Sequence, residues 1–220
     1  MKIFLLLSSF LVIFIFCSCL NKESISTAQK DKPLITYVNP FIGTGGHGHT
    51  YPGATMPFGM MQLSPDTRLD GWDGCSGYHY SDEYIYGFSH THLSGTGVSD
   101  YGDILLMPTN EIVFNNGADG KKGYRAHFSH DNEIAQPGYY AVYFDSTKID
   151  VELSVSKRSG IHKYIFPKNS KQIVILDLEH RDEVIDSKVN MYSNTEIGGY
   201  RHSKAWATKQ YLFYNIQFSK

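Results

Sequence analysis

The chain has 220 residues, of which 41% are hydrophobic and 19% are charged, enough for one globular domain with a sizeable core. The formal net charge is -2 and the lysines and arginines are scattered, so the sequence offers no basic face for nucleic acid. Aromatic residues make up 14%, mainly 16 Tyr and 13 Phe, which favours pleated sheets over helical bundles.

The amino terminus, residues 1–19, has the plan of an export signal. Met1 and Lys2 precede an apolar run from Ile3 to Phe16, which is shorter than the roughly 20 residues that a membrane-spanning helix needs. The small residue before Cys19 resembles a bacterial lipoprotein cleavage site. We therefore predict an exported protein that a lipid on Cys19 anchors to the membrane, in the periplasm or at the outer membrane or cell surface.

Residues 20–33 are polar, carry mixed charges and show no periodicity, so they are predicted to form a flexible tether. The folded domain is predicted to span residues 34–220. Residues 34–42 are apolar enough for an entry strand, which the glycine-rich turn at residues 43–46 would end. That turn lacks a following Lys-Ser/Thr pair and a following helix, which excludes the common phosphate-binding motifs.

Two His-x-His pairs occupy residues 47–49 and 90–92. In an extended segment both rings of such a pair face the same way, which suits a metal ion. A small metal-dependent oxygenase of the sandwich class would add a carboxylate, for which Asp100 and Asp103 are candidates. The alternative is that the imidazoles hydrogen-bond to loop backbone. Both interpretations remain open on the sequence.

Residues 66–80 are the most concentrated polar and aromatic segment, and glycines on either side predict that Trp72 lies in a loop. An exposed indole provides a flat apolar face for the C–H side of a sugar, while neighbouring carboxylates accept hydrogen bonds from its hydroxyls. The alternative is a Trp that closes the end of a sandwich. Cys75 and His79 are spaced like a nucleophile and its base, although a lone Cys is more often a small buried side chain.

The second half has the pattern of short antiparallel strands separated by turns, which favours an all-β, two-sheet β-sandwich. The predicted strands span residues 138–145, 148–156, 160–166, 171–178 and 209–218. Ile173 to Leu176 is continuously apolar, so this strand is predicted to be central and covered on both sides. No segment predicts an amphipathic helix.

Two polar groups follow these strands. The loop from Glu179 to Asp182 is interpreted as an ion-pair network at a strand end, or else as a contact with another domain. Arg201, His202 and Trp206 form a polar and aromatic group that is interpreted as surface packing.

Long motifs carry a family resemblance. The runs VNPFIGTGGHGHTYPGATMPFGMMQLSPDT, WDGCSGYHYSD, GFSHTHLSGTGVSDYGDILLMP, FSHDNEIAQPGYYAVYF, LDLEHRD and YLFYNIQFSK resemble the amino-terminal domain of glycoside hydrolase family 92, the calcium-dependent exo-α-mannosidases. The resemblance covers Tyr37 to Lys220. It implies a β-sandwich that packs on an (α/α)6-barrel domain and an enzyme that releases mannose with inversion.

The resemblance also implies which domain carries the catalytic residues. The general acid, the general base and most of the calcium site belong to the helical domain, which would follow Lys220. We therefore expect a truncated form that is inactive alone, binds no calcium by itself, and contributes loops to a mannose pocket. The residues carried over as substrate-binding are Trp72, Asp73, Asp66, Cys75 and His79. The alternative function is a stand-alone carbohydrate-binding β-sandwich module.

Overall fold

A computed structural model describes residues 32–219. The predicted signal with Cys19, and residues 20–31 of the predicted tether, lie outside the described residues. In the described part of the chain no helix is long and apolar enough to cross a membrane.

Residues 32–219 form thirteen β-strands and two short 3-10 helices, at Leu34–Tyr37 and Trp72–Gly74. The strands are β1 (Ala54–Thr55), β2 (Gln62–Asp66), β3 (Tyr84–Ile85), β4 (Gly87–Ser89), β5 (Leu105–Thr109), β6 (Ala126–Gln136), β7 (Tyr139–Phe144), β8 (Asp150–Val155), β9 (Gly160–Ile165), β10 (Ile173–Asp177), β11 (Glu183–Met191), β12 (Glu196–Lys204) and β13 (Gln210–Gln217). The strand-to-strand pairings are antiparallel.

Two five-stranded sheets enclose the core. One has the order β1-β2-β4-β5-β10 and the other the order β3-β6-β7-β8-β9. Alternate residues of β7 and β8 point inward and are buried, as a half-buried strand requires. These side chains form one cluster with buried residues of the facing sheet, among them Leu63, Phe88 and Met107. The predicted all-β sandwich is confirmed.

The third sheet, with the order β11-β12-β13, extends from this sandwich. Arg201 of β12 lies on its inner face and is 1% exposed. Its guanidinium donates to the Asp103 carboxylate, to the Leu178 and Arg181 carbonyls and to the Ser203 hydroxyl. The interpretation of Arg201 as surface packing is wrong, because these buried acceptors satisfy its charge and four of its N–H groups.

The five strands predicted in the second half are confirmed as β7, β8, β9, β10 and β13. The predicted entry strand is wrong, since residues 34–37 form a 3-10 helix and turns follow it. Pro40 has no N–H to donate and the Asn39 side chain accepts from the Phe41 N–H, so the local hydrogen bonds favour a turn.

The prediction of a central strand at residues 173–176 is also wrong. The strand β10 lies at the edge of its sheet, where it pairs only with β5, and all five of its residues are partly exposed. A short apolar run does not distinguish a central strand from an apolar edge strand.

Candidate sugar-binding site

Three loops, at residues 43–50, 71–75 and 94–98, meet around the side chain of Trp72. The residue lies in the first turn of the 3-10 helix Trp72–Gly74, directly after Gly71, whose φ of 79° favours glycine. The indole is 56% exposed. It packs against the rings of His47 and His49, with ring centroids 4.9 Å and 4.3 Å away. The prediction that Trp72 lies in a loop between the strands is confirmed, and of the two alternatives for its side chain the structure shows the exposed indole.

Asp73 completes this cluster of one indole, two imidazoles and one carboxylate. Its Oδ1 lies 2.6 Å from Nδ1 of His47 and 3.6 Å from Nε2 of His49. The bond from His47 is the main reason why the pKa of Asp73 is lowered. The Nε2 atom of His49 is buried and has no hydrogen-bond partner among residues 32–219. The cluster therefore combines an apolar face with an ionised acceptor at the protein surface.

His79 and Cys75 support these loops from beneath. The Ser81 N–H donates to Nδ1 of His79, so Nε2 carries the proton and donates to the Gly46 carbonyl at 3.1 Å. The Cys75 thiol donates to the Thr96 carbonyl at 2.7 Å, and burial raises its pKa. The two side chains thus donate hydrogen bonds to different loop carbonyls, and they do not pair as a nucleophile and its base.

Asp66 lies deeper and is fully buried. The Ser89 hydroxyl donates to its Oδ2 at 2.5 Å, and Nε2 of His92 lies 3.3 Å from its Oδ1. Burial alone would raise the pKa of Asp66, but the charges of His92 and His180 outweigh it and hold the pKa far below its usual range. Asp66 therefore anchors strands β2 and β4 beneath the loops, and its carboxylate does not reach the surface.

Arg181 connects the Trp72 loop, through hydrogen bonds, to the loop that follows residue 98. Its Nη2 donates to the Gly74 carbonyl at 3.0 Å and to the Ser99 hydroxyl at 2.6 Å. The next residue, Asp182, accepts the Tyr101 N–H at 3.0 Å. The sequence predicted an ion-pair network at residues 179–182, or a contact with another domain. In the structure Arg181 instead donates to a carbonyl and a hydroxyl, and Asp182 accepts from a backbone N–H.

Comparison with known families identifies the chain. Residues 37–220 match the model of the glycosyl hydrolase family 92 N-terminal domain. The chain belongs to glycosyl hydrolase family 92.

Solved structures of this family resemble the domain closely. A family 92 α-mannosidase of Bacteroides thetaiotaomicron, solved in complex with mannoimidazole, shares 38% identity and a TM-score of 0.80 over 86% of this chain. A family 92 inverting mannosidase of the same species shares 27% identity and a TM-score of 0.65 over 79% of the chain. The matched parts amount to 26% and 24% of those two proteins.

A curated relative extends the comparison to a fungus. An uncharacterized secreted glycosidase of Arthroderma benhamiae is 29% identical over 172 residues, which is 74% of this chain and 22% of the relative. The family 92 chain thus spans about a quarter of the length of the proteins that it matches.

The carboxylates near the site of this family 92 domain differ in exposure. Asp100 accepts from the Ala207 N–H at 3.1 Å and from the Gln210 side chain. Asp103 accepts from the Thr91 hydroxyl at 2.6 Å and from Arg201. Both are buried and paired, whereas the Asp73 side chain is partly exposed. Among Asp66, Asp73, Asp100 and Asp103, Asp73 is the one whose side chain is partly exposed.

The second His-x-His pair does not converge on a common point. His90 bonds to the Ile104 carbonyl at 2.5 Å and to His162 at 2.9 Å, whereas His92 bonds to the Gln62 carbonyl at 2.8 Å. Within residues 32–219 no group of three or more His, Cys, Asp or Glu side chains is arranged to hold a metal ion.

Proposed function

We propose that this domain supplies sugar-contacting loops to a secreted exo-α-mannosidase that hydrolyses mannose-containing glycans with inversion. The observation that carries the proposal is the exposed indole of Trp72 beside the ionised Asp73 carboxylate, which His47 orients at 2.6 Å. Such a pair presents an apolar face to the C–H side of a pyranose and an acceptor to its hydroxyls. Membership of family 92 and the likeness to mannosidases support mannose as the sugar.

Hydrolysis with inversion at the anomeric carbon requires a pair of carboxyl groups that we do not assign to these loops alone. It needs two carboxyl groups roughly 6.5–9.5 Å apart, with a water molecule between one of them and the sugar. Asp66, Asp100 and Asp103 are buried in hydrogen-bonded networks, and we assign the partly exposed Asp73 to positioning the substrate. We therefore assign the general acid and base to a helical domain, and we expect this chain to be inactive without it.

The same proposal covers calcium and location. We assign calcium to the helical domain, as the resemblance to family 92 implies. Export by residues 1–19 and lipid anchoring at Cys19 complete the proposal. Export is supported by the signal-like sequence and by a relative described as secreted, and lipid anchoring is supported by the sequence around Cys19.

Mannose release from an activated α-mannoside tests this assignment. The purified chain is assayed with calcium, alone and mixed with a separately expressed helical domain from a related family 92 enzyme. We expect turnover only in the mixture, and we expect Trp72→Ala to abolish it. The matched control is Trp206→Phe, which alters the other tryptophan, on the turn between β12 and β13, and leaves turnover unchanged.

The other outcomes separate the alternatives. Turnover by the chain alone would overturn the assignment of the catalytic carboxylates. Mannoside binding that depends on Trp72, with no turnover in the mixture, would favour a stand-alone carbohydrate-binding module, because the exposed indole is present without a partner domain.

A further inference from the structure

A cavity of about 340 Å³ lies beside the third sheet. Gln62 of β2, Tyr101 of the loop after Ser99, and Gln210 and Tyr211 of β13 line it, together with Met60. Its volume is near the lower end of the range for small-molecule sites, about 300–1,000 Å³. A single sugar ring is a ligand of that size.

The polar atoms in this cavity have unused hydrogen-bonding capacity. Oε1 of Gln62 accepts from the His92 N–H and the Gln210 amide donates to Asp100. Four other polar groups of the cavity have no hydrogen-bond partner within residues 32–219. They are the Gln62 amide N–H₂, the Gln210 side-chain carbonyl and the hydroxyls of Tyr101 and Tyr211. One donor, one acceptor and two hydroxyls match a ligand that is rich in hydroxyl groups.

Tyr211 adds a flat apolar surface. Its ring stacks on the ring of His202, its cross-strand neighbour, with centroids 3.9 Å apart and an interplanar angle of 19°. The stack covers one face of the tyrosine and fixes its orientation. The residue is still 61% exposed, so the opposite face is available for the C–H side of a sugar.

The cavity is connected to the Trp72 site by one short segment. Gly97 abuts the Trp72 indole and Ser99 is bonded to Arg181, which also holds Gly74. Tyr101 then lines the cavity. The four steps from residue 97 to residue 101 span at most ~14 Å even when fully extended. One oligosaccharide therefore has the reach to occupy both places.

We propose that this cavity is a second subsite, which holds a further sugar residue of the same mannose-containing glycan whose terminal residue lies on Trp72. The proposal rests on the proposed function and deepens it, because it makes the domain select oligosaccharides over single sugars. Tyr211 is the stacking platform, and Gln62, Tyr101 and Gln210 bind hydroxyls.

The test is a titration of the purified chain with methyl α-mannoside and with an α-linked mannotriose. In a Trp206→Phe background, fluorescence reports on Trp72 alone, since the sequence holds two tryptophans. The ¹³C-methyl signal of Met60 reports on the cavity and is assigned with Met60→Leu. We expect both sugars to change the fluorescence, but only mannotriose to shift Met60, and we expect mannotriose to bind about tenfold more tightly.

Variants of β13 make the result specific. Tyr211→Ala should remove the tenfold preference for mannotriose over methyl α-mannoside and leave the affinity for methyl α-mannoside unchanged. Tyr211→Phe should keep most of that preference. Phe213→Ala is the matched control. It lies two residues further along β13, packs against Tyr200 with an interplanar angle of 55°, is 76% exposed and does not line the cavity. It should alter neither affinity.

The outcomes distinguish this proposal from the one on which it rests. A Trp72 response to both sugars with equal affinity, and no shift of Met60, would overturn the second subsite and leave the proposed function intact. A shift of Met60 without a Trp72 response would overturn the shared-ligand proposal. Absence of both responses would overturn the second subsite, whereas mannose release in the mixture with the helical domain decides the proposed function.

Discussion

Gly97 lies against the Trp72 indole so closely that a β-carbon at residue 97 would fall 2.2 Å from the indole Nε1. No side chain fits there without movement, and the indole is the mobile partner because it is exposed. We predict that Gly97→Ala displaces the indole and weakens mannoside binding about tenfold or more. Fluorescence titration measures the affinity, and the thermal unfolding midpoint shows that the fold is retained.

Gly45→Ala provides the control for that experiment. A β-carbon at residue 45 would lie 3.5 Å from Cβ of Tyr80, an ordinary contact, although the residue belongs to the loop that carries His47. This variant should bind mannosides like the parent chain. Equal affinity of the Gly97→Ala variant would mean that the position of Trp72 does not determine binding.

His90 and His162 face each other with 2.9 Å between their Nε2 atoms. Nδ1 of His90 donates to the Ile104 carbonyl, so its Nε2 accepts the proton of His162, whose Nδ1 accepts from the Tyr164 hydroxyl. Both rings are therefore neutral. Burial lowers the pKa of His90 to about 4 and holds the pKa of His162 well below its usual value.

This pair predicts a loss of stability in mild acid. The unfolded chain takes up protons at these histidines near pH 6.5 and the folded chain does not, so the stability present above pH 6.5 is lost as the pH falls. Between pH 7 and pH 5 we expect the free energy of unfolding, measured by urea unfolding, to fall by roughly 2 kcal/mol. This is about half of what two fully shielded histidines would give, because both side chains are partly exposed. His162→Gln should reduce that fall by half or more, since the amide can turn its oxygen toward a protonated His90. If the free energy of unfolding of the His162→Gln variant falls as much between pH 7 and pH 5 as that of the parent chain, the His90–His162 pair is not its cause.

The strands of the second half were predictable because they alternate. In β7 the residues Tyr140, Val142 and Phe144 face the core while their neighbours stay partly exposed, and this period of two is visible in the sequence. The strands β11 and β12 were missed. Their sequence mixes charged residues and glycines with apolar ones, and they gain their structure mainly by pairing with each other and with β13.

The candidate site was predictable in part. Glycines around Trp72 indicated an exposed loop, and Asp73 adjoins it in sequence, so local chemistry was sufficient. The contact between Asp73 and His47 joins residues 26 positions apart, and Arg201 meets Asp103 across 98 positions. Such contacts depend on the topology of the sheets, which local patterns do not specify.

Asp182 is a half-buried acid with an unfavourable charge at neutral pH. Burial, with a smaller effect from Asp100, raises its pKa to about 6. For an acid whose pKa is raised on folding, stability is fully present below about pH 4 and is lost as the pH rises through 6. Asp182→Asn should therefore stabilise the protein by about 1–2 kcal/mol at pH 7.5, a value reduced for partial exposure, and by little at pH 4.

Local geometry permits this substitution. Residue 182 has a φ of 62°, a conformation in which Asn is well tolerated, and an Asn oxygen can still accept the Tyr101 N–H. Urea unfolding at the two pH values measures the effect. Asp119→Asn should change stability in the opposite direction, because bonds from Lys121 lower the pKa of Asp119. A variant at residue 182 that loses stability at pH 7.5 would show that its charge is compensated.

Glu133 is a carboxylate inside the sandwich, where its side chain is fully buried beside the irregular pairing of β6 with β7. It accepts from the Tyr140 hydroxyl at 2.6 Å, the Tyr78 hydroxyl at 3.0 Å and Nδ1 of His130 at 2.7 Å.

Glu133→Leu leaves these three donors without an acceptor, so we expect the free energy of unfolding to fall by about 3–5 kcal/mol. Glu133→Gln keeps one carbonyl oxygen and should lose about 1–2 kcal/mol. Urea unfolding measures both, with Glu152→Gln on the outer face of β8 as a control whose midpoint should hardly move. Equal losses in the Leu and Gln variants would mean that shape, and not hydrogen bonding, sets the cost at residue 133.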